Sequence, residues 1–290
     1  MVYPTLFLVS PGVFHAPRAR ESTINGVLMK KGKTHLYIPD PHATVYHNHS
    51  RFRAIGNFII RHKPDVIICA GDLADMPSLC SYDRGKRQFE GRRYIEDVRA
   101  VIAAQKELFA PMIAFNERAR ERKKKTYNPR LILTLGNHEG RILRVGELSP
   151  ELSGICNISD LQYEEFGWEV HPEGVPIEVD GIFYSHYFTS GPMCRPISGE
   201  HGAYQLLKKR HRSCTAGHMH YLKYATETLP GGRRVHGLIA GCALDTDQHE
   251  TYAGESNKEW WRGIVMKHNV VDGDYDIELI SMKHLKDRYL

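Results

Sequence analysis

The sequence predicts an α/β fold in which a largely parallel sheet from the first half packs on a mainly antiparallel sheet from the second. Three observations lead there. Through residue 135, short apolar runs rich in β-formers alternate with amphipathic helical stretches, the βαβ pattern of a parallel sheet. From residue 168 onward the runs are divided by turn signals such as Asp180-Gly181, Pro230-Gly231-Gly232 and Asp272-Gly273. Five of the runs end on Asp, Asn or His, side chains that an open sheet delivers to its ligand-binding edge.

Residues 1–33 mix Pro, Gly and charge without periodicity and are expected to be an N-terminal arm, either wrapping the surface or partly disordered, ahead of a single domain over 34–290. Leu36-Tyr37-Ile38 is a short strand stopping at Pro39-Asp40-Pro41-His42. The prolines hold this segment extended, so Asp40 and His42, two apart, point the same way and can grip one ion. Ser50 is the expected N-cap of a helix carrying Phe52, Ile55 and Ile59 on one face. Asp65 to Ala70 is a second buried strand, ending at Gly71-Asp72-Leu73-Ala74-Asp75. A helical insertion is expected at about 76–129. It begins with a basic connection bearing Tyr82, Arg84, Lys86, Arg87, Arg92 and Arg93. A long helix follows, with Ile95, Val98, Ile102, Phe109 and Met112 as its core stripe, Pro111 as a kink or break, and a basic end at Arg118 to Lys125 that suits the helix dipole.

The stretch Leu131-Ile132-Leu133-Thr134-Leu135 is the central strand. It stops at Gly136, and Asn137, His138, Glu139 and Arg141 follow within five residues. A short helix and turn is expected at 159–167, with strands at 168–170 and 177–179. Ile182 to Ser185 closes on His186, and a loop with Arg195 leads to a helix at 201–211. Ser213 to Ala216 ends at Gly217-His218-Met219-His220. Further β runs lie at 221–228, 235–240, 260–267 and 275–280. The Trp260-Trp261 pair on one of them either stacks a base or divides between core and surface.

The chain has 290 residues, enough for a sizeable core. Its 41% apolar and 25% charged residues are ordinary for a globular protein. A net charge of +5, from 39 basic against 34 acidic residues, permits a phosphate-bearing substrate without demanding nucleic acid. No apolar run approaches the ~20 residues of a membrane helix, so no membrane partner is expected. The six cysteines are dispersed with no C-x-x-C pair, which points to reduced thiols and a cytoplasmic setting. Seventeen histidines supply metal ligands and proton-transfer groups.

The ordered series D-x-H, G-D-x-x-D, G-N-H-E, S-H and G-H-x-H, over roughly residues 34–240, resembles the calcineurin-like metallophosphoesterase superfamily. The loop-rich form with its basic helical stretch is similar to phage-encoded members, whose setting would be the host cytoplasm. The resemblance implies a four-layer αββα sandwich of two mixed sheets flanked by helices, with two divalent transition metal ions between the sheet edges. Asp40, His42, Asp72 and His220 would hold one ion, and Asp72, Asn137, His186 and His218 the other. Carboxylate, amide and imidazole donors suit manganese above all, with iron, zinc or nickel as alternatives. The implied activity is phosphoester hydrolysis by in-line attack of a metal-bridging hydroxide. His138 would protonate the leaving oxygen, Asp75 would orient it, and Glu139 would support the ligands. Arg141, Arg195 and Arg84 are candidate phosphate contacts.

One departure sets the expected substrate. The serine/threonine phosphatases of the superfamily carry arginines after the second Asp and before the Gly of G-N-H-E. Here Met76 and Leu135 stand in those places. The expectation is therefore a phosphodiesterase acting on DNA, RNA or a nucleotide. The alternatives are a phosphomonoesterase or an inactive binding protein on the same fold. No specific protein partner is evident.

Overall fold

The computed structural model describes Ser22–Ile24, Val27–Met29 and residues 31–290. It divides into two compact units, Met1–Lys31 and Gly32–Leu290. In the first, β1 (Ser22–Ile24) pairs antiparallel with β2 (Val27–Met29). The rest of the expected arm lies outside the described residues.

The second unit runs β3 (Lys33–Ile38), α1 (Ser50–His62), β4 (Val66–Cys69), α2 (Tyr94–Glu121), β5 (Arg130–Thr134), α3 (Gly140–Leu148) and β6 (Glu169–His171). It continues with β7 (Ile177–Val179), β8 (Ile182–Tyr184), β9 (Thr189–Ser190), β10 (Arg195–Pro196), α4 (Gly202–Arg210) and β11 (Ser213–Ala216). Last come β12 (Leu222–Thr228), β13 (Arg234–Ala240), β14 (Gly263–Val271), β15 (Asp274–Ser281) and α5 (Met282–Tyr289). One sheet has the order β15-β14-β3-β4-β5-β6, with β3 to β6 parallel and β14 and β15 added antiparallel. The other has the order β12-β13-β11-β8-β7. β9 and β10 form a separate small ribbon.

Both sheets are mixed, which corrects the expectation of a mainly antiparallel second half. β11 is parallel to β8 and to β13. The reason is α4, which returns the chain from the end of β8 to the start of β11 as a crossover helix does.

The strands of the first sheet alternate between two cores, as the period of two requires. Tyr37, Ile68 and Ile132 face the second sheet and meet Ile182, Tyr184 and Leu238. Leu36, Ile38, Ile67 and Leu133 face the other way, onto Phe52 and Ile55 of α1 and Val101 and Leu108 of α2. Covered on both sides, these strands are apolar through their centres, and β4 is apolar along its whole length. Leu206 of α4 packs on Cys214 and Ile239 behind the second sheet, completing four layers. The α1–α2 crossing is close because residue 56 is glycine: a Cβ there would lie 2.3 Å from the Leu108 carbonyl oxygen.

Local details differ from the sequence reading. His49, not Ser50, is the N-cap residue of α1, and the side chain serving that end is Asn48, whose Oδ1 accepts from the Ser50 N–H at 3.0 Å. Pro111 lies inside α2 without dividing it. Ile95 is 52% exposed, outside the core stripe. Trp260 and Trp261 precede β14 in a loop.

Candidate metal centre

Five parallel strand ends converge at one edge of the sandwich. β3 brings Asp40 and His42, β4 brings Asp72 and Asp75, β5 brings Asn137 and His138, β8 brings His186, and β11 brings His218 and His220. The turns after β3 and β4 are tied together, since His42 N–H donates to the Asp72 carbonyl at 2.9 Å and Ala43 N–H to the Leu73 carbonyl at 2.7 Å. Ligand atoms of Asp40, His42 and His220 lie within 4.8 Å of one another, as do those of Asp72, His186 and His218, and those of His42, Asp75 and His138.

Two glycines make this approach possible. A Cβ on Gly136 would sit 2.1 Å from Asp72 Oδ1, and one on Gly217 would sit 2.0 Å from Asp40 Oδ2. Each motif glycine thus vacates the space that a carboxylate from a neighbouring strand occupies. The backbone is also held away from its ordinary conformations, which corrects the expectation that the prolines keep Asp40 and His42 extended. Asp40, His42, Asp72, His218 and His220 all have positive φ, from 38° to 69°. Such positions cost about 1–3 kcal/mol each and persist only where the surroundings over-determine them.

Glu139 supplies part of that constraint. One of its oxygens accepts from Asp72 N–H (2.9 Å) and Gly136 N–H (3.0 Å), the other from Ala74 N–H (3.0 Å) and the Tyr163 hydroxyl (2.9 Å). His138 N–H donates to Asp72 Oδ1 at 2.8 Å, and His218 N–H to both oxygens of Asp40 at 2.9 Å.

The imidazoles show what the cluster demands. His186 Nδ1 lies 2.9 Å from the Ala70 carbonyl, which can only accept, so this nitrogen carries the proton. Its Nε2 lone pair then faces Asn137 Oδ1 (2.9 Å), Asp72 Oδ2 (3.2 Å) and His218 Nδ1 (3.2 Å). Electron-rich atoms so arranged repel unless positive charge, a metal cation or a proton on Nε2, lies among them. Both ring nitrogens of His42, and Nδ1 of His220, are buried without a hydrogen-bond partner. Donor type, burial and these unmet nitrogens fit a pair of divalent cations.

Charge behaves accordingly. Burial alone would lower the pKa of His186, but the carboxylates of Asp72 and Asp40 raise it to about 10. Burial likewise opposes the charge of His42, and Glu250, Asp75 and Asp72 overcome it, to about 9. Burial with Asp72 nearby lifts Asp40 to about 7 despite His186. Asp72 goes the other way: three imidazoles hold it well below the usual carboxylate range although it is buried. His218 falls to about 4 through burial and the proximity of His186. Without metal, protons supply the positive charge the site requires.

His138 Nδ1 lies 2.8 Å from the Asp75 carbonyl and 2.9 Å from its Oδ1, so it carries a proton. Its Nε2 faces the guanidinium of Arg141 at 3.1 Å, and Arg141 also donates to the Asp75 carbonyl at 2.8 Å.

Residues 34–287 match the family of calcineurin-like phosphoesterases. The chain belongs to that family. Its members are phosphoric ester hydrolases, and this one carries their fold and candidate metal-ligand clusters. No curated protein matches it in sequence. Among solved structures it is similar to Yfce, a phosphoesterase from E. coli, over 86% of this chain and 99% of that one, with 9% identity and a TM-score of 0.33.

In this phosphoesterase the cluster forms the floor of a cleft of about 840 Å³, lined by Asp72, Asp75, Asn137, His138, His218 and His220 among others. Asp40, His42 and His186 sit behind that floor, fully buried. Arg141 lines the cleft, but Arg84 and Arg195 are exposed and lie outside it. Lys86 and Arg92 line it instead. His47 and His249, which match no motif, line it too. Sequence reasoning missed Glu250, whose Oε1 lies 3.7 Å from His42 Nδ1, too far for a hydrogen bond but close enough to act by charge. It sits in an irregular loop with no pattern to mark it. Tyr163, the hydroxyl partner of Glu139, was equally unmarked.

Proposed function

We propose that the chain is a dinuclear-metal-dependent phosphoesterase acting on phosphodiesters of nucleic acid or nucleotides. Manganese is the favoured metal, and iron, zinc or nickel also suit the donors. The observation that carries this reading is the position of Asp72. Its Oδ2 lies 3.2 Å from His186 Nε2 and 3.7 Å from His42 Nε2, between the two ligand groups. Asp40, His42, Asp72 and His220 hold one ion in this reading, and Asp72, Asn137, His186 and His218 the other. When bound, the pair supplies an activated water and positive charge toward the phosphorus.

The chain's own residues do the rest. His138 is the general acid: in its cationic form Nδ1–H stays on Asp75 while Nε2–H goes to the departing oxygen. Arg141 must then turn from Nε2, leaving its guanidinium for a phosphate oxygen. Asp75 is the orienting group, and burial does not stop the His138 contact from holding its carboxyl at about 2, so it stays charged. Met76 and Leu135 leave the floor short of two cations for a phosphomonoester dianion, which supports the diester reading. The six free cysteines among the described residues support a reducing setting, the cytoplasm, and the basic segment after Asp75 supports a phage-encoded member acting in its host.

The test combines metal analysis with steady-state rates on bis-p-nitrophenyl and p-nitrophenyl phosphate, before and after chelation and Mn²⁺ addition. Two equivalents of metal and the higher kcat/KM on the diester are expected. Full activity without metal would overturn the dinuclear reading, and a strong preference for the monoester would reverse the substrate.

A further inference from the structure

We propose that the outer wall of the cleft is a nucleoside subsite in which Tyr46 and Tyr82 stack on an unpaired base of the diester, while Lys86 and Arg92 face its flanking phosphate. This rests on the phosphodiesterase reading above and names the substrate class that the same cleft selects. Four tyrosines among the described residues are exposed. Two of them do not line the cleft: Tyr204, which carries the Lys208 ammonium 5.3 Å from its ring centre, and Tyr224, whose hydroxyl meets His236 at 2.7 Å. The other two, Tyr46 at 59% exposed and Tyr82 at 86%, come from separate segments and open on the cleft whose floor is Asn137 and His138. Aromatic rings held in water beside a phosphate-processing floor suit a ligand with a π-face near its phosphate.

The charges around them agree. Arg92 donates to Asp83 at 2.8 Å, and Lys86 lies 3.4 Å from the same carboxylate. Two cations around one carboxylate leave a net positive charge, and the carboxylate holds both in place on the cleft wall. Arg92 also faces Tyr46. This pairing of base-stacking rings with backbone-facing cations is the chemistry of single-strand recognition. A duplex buries both faces of each base against its neighbours and offers these rings no surface. Trp260 also lines the cleft, but its ring stands at 82° to that of His220 with 4.3 Å between centres, and it buttresses that imidazole.

The experiment compares thymidine 5′-(p-nitrophenyl phosphate) with methyl p-nitrophenyl phosphate, which share a leaving group and differ in carrying a nucleoside or a methyl group. The wild type should favour the thymidine ester by about tenfold or more in kcat/KM. Tyr82→Ala, and more fully Tyr46→Ala/Tyr82→Ala, should collapse that ratio mainly through KM. Equal turnover of the two esters by the wild type, or an unchanged ratio in the double variant, overturns the subsite and leaves the phosphodiesterase standing. A parallel arm needs no turnover: fluorescence anisotropy with labelled single-stranded oligothymidylate against a duplex of equal length, in chelator. Tighter binding of the single strand, lost in the double variant, supports the subsite even if neither ester is cleaved. No binding, or equal binding of both forms, overturns it.

Discussion

Two buried polar clusters lie between the same pair of sheets, and they handle charge in opposite ways. Lys267 of β14 has no exposed surface. Its ammonium lies 4.5 Å from the ring centre of Tyr184 and 4.6 Å from that of Tyr275, and it donates to the hydroxyls of Thr215 and Tyr184. The Tyr184 hydroxyl meets His35 Nδ1 at 2.8 Å, His35 Nε2 meets Asp180 at 3.0 Å, and Asp180 takes Lys33 at 2.7 Å. That chain of contacts is closed for its charged groups, each of which ends on a partner, although the Tyr275 and Tyr37 hydroxyls beside it have no hydrogen-bond partner. At the strand ends, by contrast, lone pairs of Asp72, His186 and His218 point at one another. Both clusters are buried and both shift pKa values. Only the second sets carboxylate, amide and imidazole acceptors against one another, so converging acceptors, rather than buried charge, mark a candidate binding site off from a structural knot.

The comparison can be broken or sharpened by substitution. The largest effect is expected at Asp72, which touches both ligand groups. Asp72→Ala should empty the protein of metal and bring turnover below detection while circular dichroism stays native. A variant that kept its metal would mean the two groups are independent. Next comes His138→Ala, which should keep its metal and lose ~10²–10⁴ in rate on an ester with an alcohol leaving group. The loss on a nitrophenyl ester, whose leaving group needs little protonation, should be much smaller, and equal losses on both would deny the acid role.

Glu139→Gln acts one shell out. An amide cannot accept at both ends, so the two donors on one of the Glu139 oxygens are left facing an NH2. Metal affinity should fall ~10–100-fold in a chelator competition, the range typical of such supporting groups. An unchanged affinity would show that the turns hold themselves.

The smallest effect is expected in the closed cluster. Burial holds the Lys267 ammonium well below its usual 10.5. Between that lowered value and 10.5 the unfolded chain binds a proton that the folded chain does not, so stability rises with pH across that window. Lys267→Met should remove this share of the slope in urea melts at pH 7, 8.5 and 10, and leave metal content and kcat as they were. An undiminished slope, or a loss of metal, would join the two clusters after all.

Much of the centre was legible because its signals are local. A β run, a glycine and a candidate ligand follow each other within six residues at Asp72, Asn137 and His218, and the glycine has a reason visible only in three dimensions. The parallel centre of the second sheet was also within reach, since a helix between two β runs is the crossover signature, and 201–211 lies between Ile182–Ser185 and Ser213–Ala216. Other features carry no local mark. Glu250 reaches His42 from a loop whose course depends on distant contacts. Arg84 and Lys86 look alike in a basic stretch, yet only the backbone turns at 81–83 and 87–89 decide that Lys86 faces the cleft. Ile95 satisfies helical periodicity one turn before α2 meets its neighbours, so its side chain remains in solvent. Helices α3 and α5 were not marked as elements, α3 because its start overlaps the motif read as a turn.

The left-handed backbone at Asp40, His42, Asp72, His218 and His220 has a consequence for protein engineering. A scaffold that copies the seven side chains onto regular strands or helices would aim them wrongly, because L residues there adopt negative φ. A transplant has to bring the turns themselves, the two glycines that let carboxylates pass, and the Glu139 brace that keeps the turns from relaxing. The portable unit is the set of loops, with the side chains as its cargo.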